Sequence, residues 1–335
     1  MSRTLGINFG SNVTTVYHQG RGIVVREPNA VAVDTYTQEH LAIGQEAINL
    51  YNKTPGAVDL ITHIYQGNVS DYERMAMIIE RAIKKTGVRR PEVIFASHGA
   101  QSSADVSAIV EMLLDAGVKD VKCVDLPTVC VMGSGAPLND EKELLLCDIG
   151  AANSEIGIVK GCVTKLSRTV QYGCNKLDQA IIAYIKNEYN ASITERMART
   201  IRETIGSVHP SYSVGGYDFV GIDLVTGLPC DLSINSTQTV EIMKPFAVYL
   251  VANVAAIVNK LPEPILKNVR DRGILLTGGG ALDGGIKTLM EETLEIPVQI
   301  CANSTECAIE GLGMIIENRK IFDVLLRDPI PRLND

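Results

Sequence analysis

The chain has 335 residues, of which 46% are hydrophobic and 21% are charged, and it carries a net charge of −8 at neutral pH. This length favours two lobes with separate cores, and this balance of residues is typical of a well-packed globular protein. The negative charge argues against nucleic acid as a partner, because phosphate backbones are bound by an excess of lysine and arginine.

The cysteines and the longest apolar stretch are both expected to lie in the protein core. Eight cysteines lie mostly in apolar runs and form no C-x-x-C pair, and the five histidines are scattered. This pattern favours reduced thiols in a cytosolic protein over a metal site. The stretch at 246–258 is shorter than a bilayer span, so we expect a buried helix there.

The first part of the chain opens with a meander of short strands. Alternating apolar residues predict strands at 5–9, 13–17 and 23–26, and Gly10-Ser11-Asn12 forms the first turn. Helical and strand periodicities then alternate, which is typical of an α/β protein. The expected elements are a helix at 71–85, a strand at 93–96, a helix at 104–116, a strand at 121–124 and a helical stretch at 128–133.

The opening pattern returns 140 residues later, where Asp148-Ile149-Gly150 corresponds to Asn8-Phe9-Gly10. A repeat of this length suggests two similar lobes facing one another rather than a solenoid. The elements predicted for this half are strands at 144–147, 155–159 and 162–169, helices at 176–188 and 193–205, a hairpin at 218–234, a helix at 240–261, and a strand at 274–276 that runs into Thr277-Gly278-Gly279-Gly280.

Three glycine-containing segments in this pattern suit a nucleotide. A hairpin tip of glycine and small polar residues presents backbone amides to an anion, and two repeat-related tips can grip one phosphate tail from both sides. A glycine-rich segment between a strand and a helix lets a nucleoside edge approach the backbone. One such turn is weak evidence, whereas three in this order are much more specific.

These segments resemble the two phosphate motifs and the adenosine motif of the actin, heat-shock-chaperone and sugar-kinase ATPase superfamily. Within it, the chain is similar to the MreB family of bacterial actins from about residue 5 to about residue 317. The stretch at 223–229, Asp-Leu-Val-Thr-Gly-Leu-Pro, lies outside the nucleotide motifs and separates this family from kinases and chaperones.

The resemblance implies an α/β, actin-like (ribonuclease-H-like) fold of two lobes, with a duplicated meander core and a nucleotide cleft between the lobes. Lobe I is expected at 1–140, with a small subdomain at about 33–65. Lobe II is expected at 141–335, with a small subdomain at about 180–240.

The function implied by the resemblance is that of a cytoskeletal protein. It binds ATP or ADP with Mg²⁺ and polymerises into filaments for cell-shape determination, in the cytoplasm at the inner face of the membrane. Expected partners are further copies of itself, a second MreB homologue and membrane proteins of cell-wall elongation. For lipid contact the sequence offers Arg89 and Arg90, which equally suit a solvated loop.

The resemblance also assigns roles to individual residues. Asp71, Asp148 and, as a poorer candidate, Asp125 are the expected catalytic residues. Asp148 is expected to hold the metal through water, with Asn8 as a lesser ligand. Arg202 and Glu203 equally suit a solvated helix face. The expected cofactor-binding residues are Asn8, Gly10, Ser11, Asn12, Gly150, Ala151, Ala152, Asn153, Gly173, Arg202, Glu203, Gly278, Gly279 and Gly280.

Several positions depart from the family pattern at the groups that carry chemistry. Asn8 replaces an aspartate, and Ala151 and Ala152 replace two glycines. Leu126 falls where the family has the glutamate that positions the attacking water, and leucine can neither orient nor deprotonate water. The sequence therefore predicts a nucleotide-binding actin homologue with slow or absent hydrolysis.

Two other functions are compatible with the same superfold. The first is a pseudo-ATPase that regulates another MreB by co-polymerising with it. The second is a small-molecule kinase, which would need a catalytic aspartate beside a sugar hydroxyl and a sugar-binding insertion. The sequence shows no such insertion, and Asp125 is a poor substitute for the aspartate.

Overall fold

The structure is a computed structural model that describes residues 3–54, 56–99, 101–138, 141–212 and 215–329. The strands are β1 (Thr4–Phe9), β2 (Val13–His18), β3 (Gly22–Pro28), β4 (Val31–Asp34), β5 (His40–Ile43), β6 (Val58–Ile61), β7 (Glu92–Ser97), β8 (Asp120–Asp125), β9 (Glu143–Ile149), β10 (Ser154–Lys160), β11 (Val163–Val170), β12 (Ala191–Ser192), β13 (Gly216–Asp223), β14 (Pro229–Asn235), β15 (Ile274–Thr277) and β16 (Val298–Ile300).

The helices connect these strands. They are α1 (Gln45–Lys53), α2 (Tyr72–Thr86), α3 (Ser103–Asp115), α4 (Leu126–Gly133), α5 (Cys174–Tyr189), α6 (Glu195–Ile205), α7 (Ser236–Val258), α8 (Glu263–Arg272), α9 (Ile286–Leu294), α10 (Cys307–Glu317) and α11 (Arg319–Phe322). Short 3₁₀ helices lie at Pro210–Tyr212, Gly279–Leu282 and Asp323–Leu325.

Both predicted meanders are confirmed, as β1–β3 and β9–β11, and the other elements predicted from periodicity are present within a few residues of their expected ends. The bounds predicted for the helix at 240–261 are wrong at both ends, since α7 runs from Ser236 to Val258. It begins at Ser236 because the Asn235 side chain caps it by accepting a hydrogen bond from the Gln238 amide. A 3₁₀ helix at Gly279–Leu282, which includes the last two of the three glycines, precedes α9.

Contacts between residues divide the chain into two compact units. Unit one comprises the described residues within 1–140, 159–169 and 306–335, and unit two those within 141–158 and 170–305. The lobe bounds predicted from the sequence stay predictions, and contacts group 159–169 and 306–335, which were predicted for lobe II, with unit one. Residues 1–2, 139–140 and 330–335 of the predicted lobes lie outside the described residues.

The grouping of α10 with unit one has a physical reason. Helices α10 and α4 pack so closely that a Cβ atom on Gly311 would overlap the backbone of Val129, and one on Gly133 would overlap that of Cys307. Helix α10 also lies on β1 and β2, where Leu312 meets the backbone at Gly6. Glycines at these contacts therefore let α10 pack closely on unit one.

Unit one is built on a sheet of order β3-β2-β1-β7-β8, antiparallel within the meander and parallel from β1 to β8. Leu5, Ile7 and Phe9 of β1 are buried in a core cluster to which the apolar faces of α2 and α3 also contribute. A smaller sheet, β5-β4-β6, packs with α1 in the range expected for the first subdomain.

Unit two repeats this plan. Its sheet contains the order β10-β9-β15-β16, in which β9, β15 and β16 are parallel. A smaller sheet, β12-β13-β14, falls within the range expected for the second subdomain. Helix α7 is long and apolar enough to cross a membrane by length and composition. Its buried face, which includes Leu250 and Val254, belongs to the core of unit two, so we assign α7 to that core.

Unit one also contains a buried charge. The Glu27 side chain at the end of β3 is fully buried and accepts a hydrogen bond of 3.0 Å from Arg81 Nε, and it also pairs with Lys85. Gly44 lies directly against this carboxylate, where a Cβ atom would overlap it. A second carboxylate, Glu46, pairs with the same Arg81 at 2.9 Å but is 68% exposed.

The two glutamates make a matched test of burial. Glu27→Ala is expected to lower the free energy of unfolding by about 3 kcal/mol, because it leaves two cations without their buried partner. Glu46→Ala should cost far less, since water screens its pair with Arg81. Urea unfolding of both variants measures the difference, and equal losses would contradict the structural role assigned to Glu27.

Candidate functional site

The first tip, Gly10-Ser11-Asn12, joins β1 to β2 and is held from inside unit one. The Gly10 amide donates to the Val13 carbonyl at 3.2 Å, which closes the turn. The Gly10 carbonyl accepts from Asn29 Nδ2 at 2.7 Å, and the Asn12 carbonyl accepts from the Asn29 amide at 2.8 Å. Asn29 is 1% exposed, and its Oδ1 accepts in turn from Thr14 Oγ1 at 2.8 Å.

The second tip, Gly150-Ala151-Ala152-Asn153, joins β9 to β10 in unit two. The Gly150 amide donates to the Asn153 carbonyl at 3.0 Å, the same bond as in the first tip 140 residues earlier. The amides at the start of α5 donate to this tip, Cys174 to the Gly150 carbonyl at 3.1 Å and Asn175 to the Ala151 carbonyl at 2.8 Å. Carbonyls of both tips therefore accept hydrogen bonds within their own units.

Gly173 is required where α5 meets the second tip. A Cβ atom at position 173 would overlap the backbone of Ala151 and Ala152. Ser154, fully buried, donates from Oγ to the Tyr172 carbonyl at 2.8 Å and ties the same two segments together. The structure thus places Gly173 directly beside the second tip.

Asp148 ends strand β9 at the edge of the second tip. Its Oδ1 accepts a hydrogen bond of 2.7 Å from Thr277 Oγ1, and Thr277 is the residue beside it in the parallel register of β15. Thr277 is fully buried and Asp148 half-buried. The parallel sheet thus fixes the carboxylate next to the glycine segment, Gly278-Gly279-Gly280.

The three glycines of this segment have different surroundings. Gly278 has φ +81°, donates to the Ser304 carbonyl at 2.8 Å and lies so close to Ile149 that a Cβ atom would overlap its backbone. Gly280 packs on the Ile149 and Cys174 side chains. Gly279 is exposed, and a Cβ atom on it would meet nothing within 4 Å. Gly278 and Gly280 fix the segment, while Gly279 leaves an open approach to it.

Arg202 is buried between two carboxylates, and the interpretation of a solvated helix face is wrong for this residue. Its Nε donates to Asp178 Oδ1 at 2.7 Å, and its Nη1 donates to Asp283 Oδ1 at 2.8 Å. Burial alone would lower the pKa of Arg202, but Cys174, Asp283 and Asp178 raise it overall. Burial raises the pKa of Asp283 against the opposing effect of Arg202. Glu203 is exposed, as a solvated helix face predicts.

Two predicted catalytic carboxylates make structural contacts. Asp71 is the N-cap of α2 and accepts from the Arg74 amide at 3.1 Å. Burial would raise the pKa of Asp71, but the Arg74 amide and guanidinium lower it overall. Asp125 pairs with Arg327, which follows the last 3₁₀ helix. Both carboxylates are therefore paired with arginines of unit one.

Leu126 begins α4 and is 2% exposed. The side chain at the position expected to orient water is thus both apolar and buried. Asn8 lies opposite Thr15 in the β1–β2 register, and the Thr15 hydroxyl is buried without a hydrogen-bond partner. No group of three His, Cys, Asp or Glu residues suited to a metal occurs within the part of the chain that the structure describes.

The structure adds residues that motif reasoning missed. Asn29 follows the third strand of the first meander and carried no sequence signal beyond its position after Pro28. Asp178 and Asp283 are charged residues with buried side chains. For Asp178 the sequence did carry a signal, because it is a polar residue within the apolar stripe of the helix predicted at 176–188. Both become recognisable only through their contacts with Arg202.

Comparison with known protein families gives a match over most of the chain. The family model described as MreB/Mbl protein matches residues 2–324. The cell shape-determining protein Mbl of Bacillus cereus is 30% identical over 321 residues, which cover 95% of this chain and 96% of that protein. The cell shape-determining protein MreB of Escherichia coli is 27% identical over 325 residues, or 94% of each chain.

Solved structures share the fold at lower identity. MreB5 of Spiroplasma citri bound to AMPPNP superposes with a TM-score of 0.87 at 22% identity, over 96% of this chain and 97% of that one. Its ADP-bound form gives 0.88, over 96% and 98%. The MamK double helical filament gives 0.79 at 17% identity, over 94% and 98%.

Adjacent glycines in the glycine segment are expected to respond differently to the same change. Gly278→Ala should lower the free energy of unfolding by more than about 1 kcal/mol, because alanine is strained at positive φ and its methyl group overlaps Ile149. Gly279→Ala should leave stability nearly unchanged. Thermal unfolding without nucleotide measures both, and a larger loss for Gly279→Ala would contradict the described packing.

Proposed function

This chain belongs to the MreB/Mbl family of cell-shape-determining, actin-like proteins, and from that premise we propose that it binds ATP or ADP and assembles into filaments with slow or absent hydrolysis. The predicted actin-like fold is confirmed by the likeness to MreB5 and MamK. The cytoplasm, at the inner face of the membrane, is its proposed location. Its proposed further partners are a second MreB homologue and membrane proteins of cell-wall elongation.

The observation that carries nucleotide binding is the repeated hydrogen bond of the two tips. In each tip the first glycine donates to the carbonyl three residues later, and carbonyls of the turn accept within the same unit. Backbone amides of such a turn can then bind a phosphate oxygen. The solved MreB5 relatives are bound to AMPPNP and ADP, which supports the same ligand class here.

The residues present suit a Mg²⁺ ion that arrives with the nucleotide. Mg²⁺ keeps several waters and is usually bound by one or two carboxylates together with substrate phosphates. Asp148, oriented by Thr277, is the carboxylate we propose to hold the ion through water. The ion would neutralise phosphate charge there.

Three side chains support the proposal of slow hydrolysis. Leu126 is buried and cannot orient a water molecule, and Asp125 beside it is paired with Arg327. Asn8 is neutral where the family pattern has an aspartate. Positioning and charge neutralisation account for most of phosphoryl-transfer catalysis, so their loss leaves binding without fast turnover. The same residues support the second candidate, a pseudo-ATPase that regulates another MreB by co-polymerising with it.

Self-association is supported by an exposed apolar surface, here called the hairpin patch. It lies on the β13–β14 hairpin of unit two and comprises Val220, Ile222, Leu224, Val225 and Leu228, with exposures from 42% to 81%. Asp223 Oδ1 accepts from the Val225 and Thr226 amides at 2.9 and 2.7 Å, which holds Val225 outward. Apolar patches of this kind mark interaction surfaces, and we propose a second copy of the chain as the partner.

Sedimentation with and without ATP–Mg²⁺ tests the filament proposal. We expect nucleotide-dependent pelleting, and Val225→Asp should raise the critical concentration roughly tenfold, which corresponds to about 1.4 kcal/mol per contact. Val324→Asp is the matched control, because Val324 is 86% exposed but lies in unit one. A chain that stays monomeric at high concentration in every nucleotide state would refute the proposal. Loss of pelleting with Val324→Asp but not with Val225→Asp would indicate that the filament contact lies on unit one instead.

The hydrolysis proposal is tested at position 126. Leu126→Glu is expected to raise the rate of phosphate release, because a desolvated carboxylate can orient and deprotonate water. Leu126→Gln is the control, with the same shape and no charge. Phosphate release from ATP–Mg²⁺ is measured alongside thermal unfolding. An unchanged rate in a folded Leu126→Glu variant would show that Asn8 or the two alanines limit hydrolysis instead.

A further inference from the structure

Arg202 joins three segments of unit two through its guanidinium group. It lies on α6 and is 7% exposed. Its Nε reaches Asp178 on α5, and its Nη1 reaches Asp283, just after the 3₁₀ turn that begins at Gly279. The side chains of Asp178 and Asp283 are 4% and 8% exposed. A single buried cation thus connects two buried anions on different elements.

Both anions are connected to parts of the candidate site. The Asp283 amide donates to the Gly280 carbonyl at 3.2 Å, so Asp283 is continuous with the glycine segment. Asp178 lies on α5, whose first amides hold the second tip through the Gly150 and Ala151 carbonyls. Through these bonds, the Arg202 guanidinium links the glycine segment to α5, whose first residues hold the second tip.

The charge arrangement makes the arginine difficult to replace. Two buried carboxylates need a nearby positive charge, and without one they destabilise each other. The planar guanidinium donates in two directions at once, whereas a lysine ammonium is a compact point charge on a flexible stem. Arg202 also offers little surface to a ligand, because its side chain is 6% exposed and its Nη2 lies 3.5 Å from Glu203 Oε1.

We propose that Arg202 is a positioning residue for the nucleoside end of the ligand, and that it holds Gly278-Gly279-Gly280 in place through Asp283 rather than contacting the base itself. This inference rests on the proposed nucleotide binding. It assigns Arg202 a role in the affinity for the nucleoside part, whereas the two tips determine the affinity for the phosphates.

The test compares a nucleotide with a phosphate-only ligand. Calorimetric titration of ADP–Mg²⁺ and of pyrophosphate–Mg²⁺ is carried out on the parent chain and on Arg202→Met, Arg202→Lys, Asp283→Asn and Arg199→Met. Arg199 is the matched control, because its Nε lies 3.4 Å from Asp178 Oδ2 and its side chain is 38% exposed. The structure gives it no contact with Asp283.

Arg202→Met should weaken ADP binding by roughly 10- to 100-fold, since displacing a group that positions a ligand has effects of that order. Pyrophosphate binding should stay near that of the parent chain. Arg202→Lys and Asp283→Asn should fall between, and Arg199→Met should match the parent for both ligands. Asp283→Asn keeps the pair with Asp178, so it remains a folded test if Arg202→Met does not fold.

The outcomes separate this inference from the proposed function. A parent chain that binds no ADP would refute nucleotide binding itself. A parent chain that binds ADP, with unchanged ADP affinity in Arg202→Met and Asp283→Asn, would overturn only the positioning role. An equal loss for ADP and pyrophosphate would also overturn it, because that result indicates general destabilisation of unit two.

Discussion

The hydrogen bonds that turn tip carbonyls toward the protein are the constraint on which the candidate site depends. A short turn between strands has amides and carbonyls to satisfy, and a carbonyl that faced a phosphate would repel it. In unit one, Asn29 donates hydrogen bonds to all three tip carbonyls, those of Gly10, Ser11 and Asn12. In unit two, the first amides of α5 donate hydrogen bonds to the Gly150 and Ala151 carbonyls. Two different donors therefore produce the same result in the two repeats.

This arrangement explains how the fold tolerates altered chemistry. Gly10 and Gly150 are constrained by their closing hydrogen bonds, and Gly173 by the space it leaves for the second tip. The groups that would drive hydrolysis are side chains, which contribute little to these backbone contacts. Leu126 is buried and adds to the packing, which is compatible with the slow or absent hydrolysis proposed above.

The glycine segment at 278–280 depends on charge as well as shape. Gly278 and Gly280 lie against Ile149, whose strand also carries Asp148. Arg202 then neutralises Asp178 and Asp283 at the other side of the same segment. Burial of three charges is costly unless each is paired, so this part of unit two is held by contacts that tolerate little displacement.

Sequence reasoning recovered the features that are local. The glycine segments, the 140-residue offset and most strands and helices follow from spacing and periodicity. The buried position of Arg202 did not, because helical periodicity at 193–205 does not show which other elements cover that face. Nor did the grouping of α10 with unit one, which depends on contacts between Gly133 and Gly311, far apart in sequence. Asn29 was missed because its role lies in a tertiary hydrogen bond.

The most direct test of the central claim is amide hydrogen exchange across residues 150–153 and 278–280, with and without saturating ADP–Mg²⁺. We expect slower exchange in both segments when nucleotide is present, with exchange in the β13–β14 hairpin unchanged at concentrations where the chain is monomeric. Unchanged exchange at 150–153 and 278–280 under saturating ADP–Mg²⁺ would contradict it.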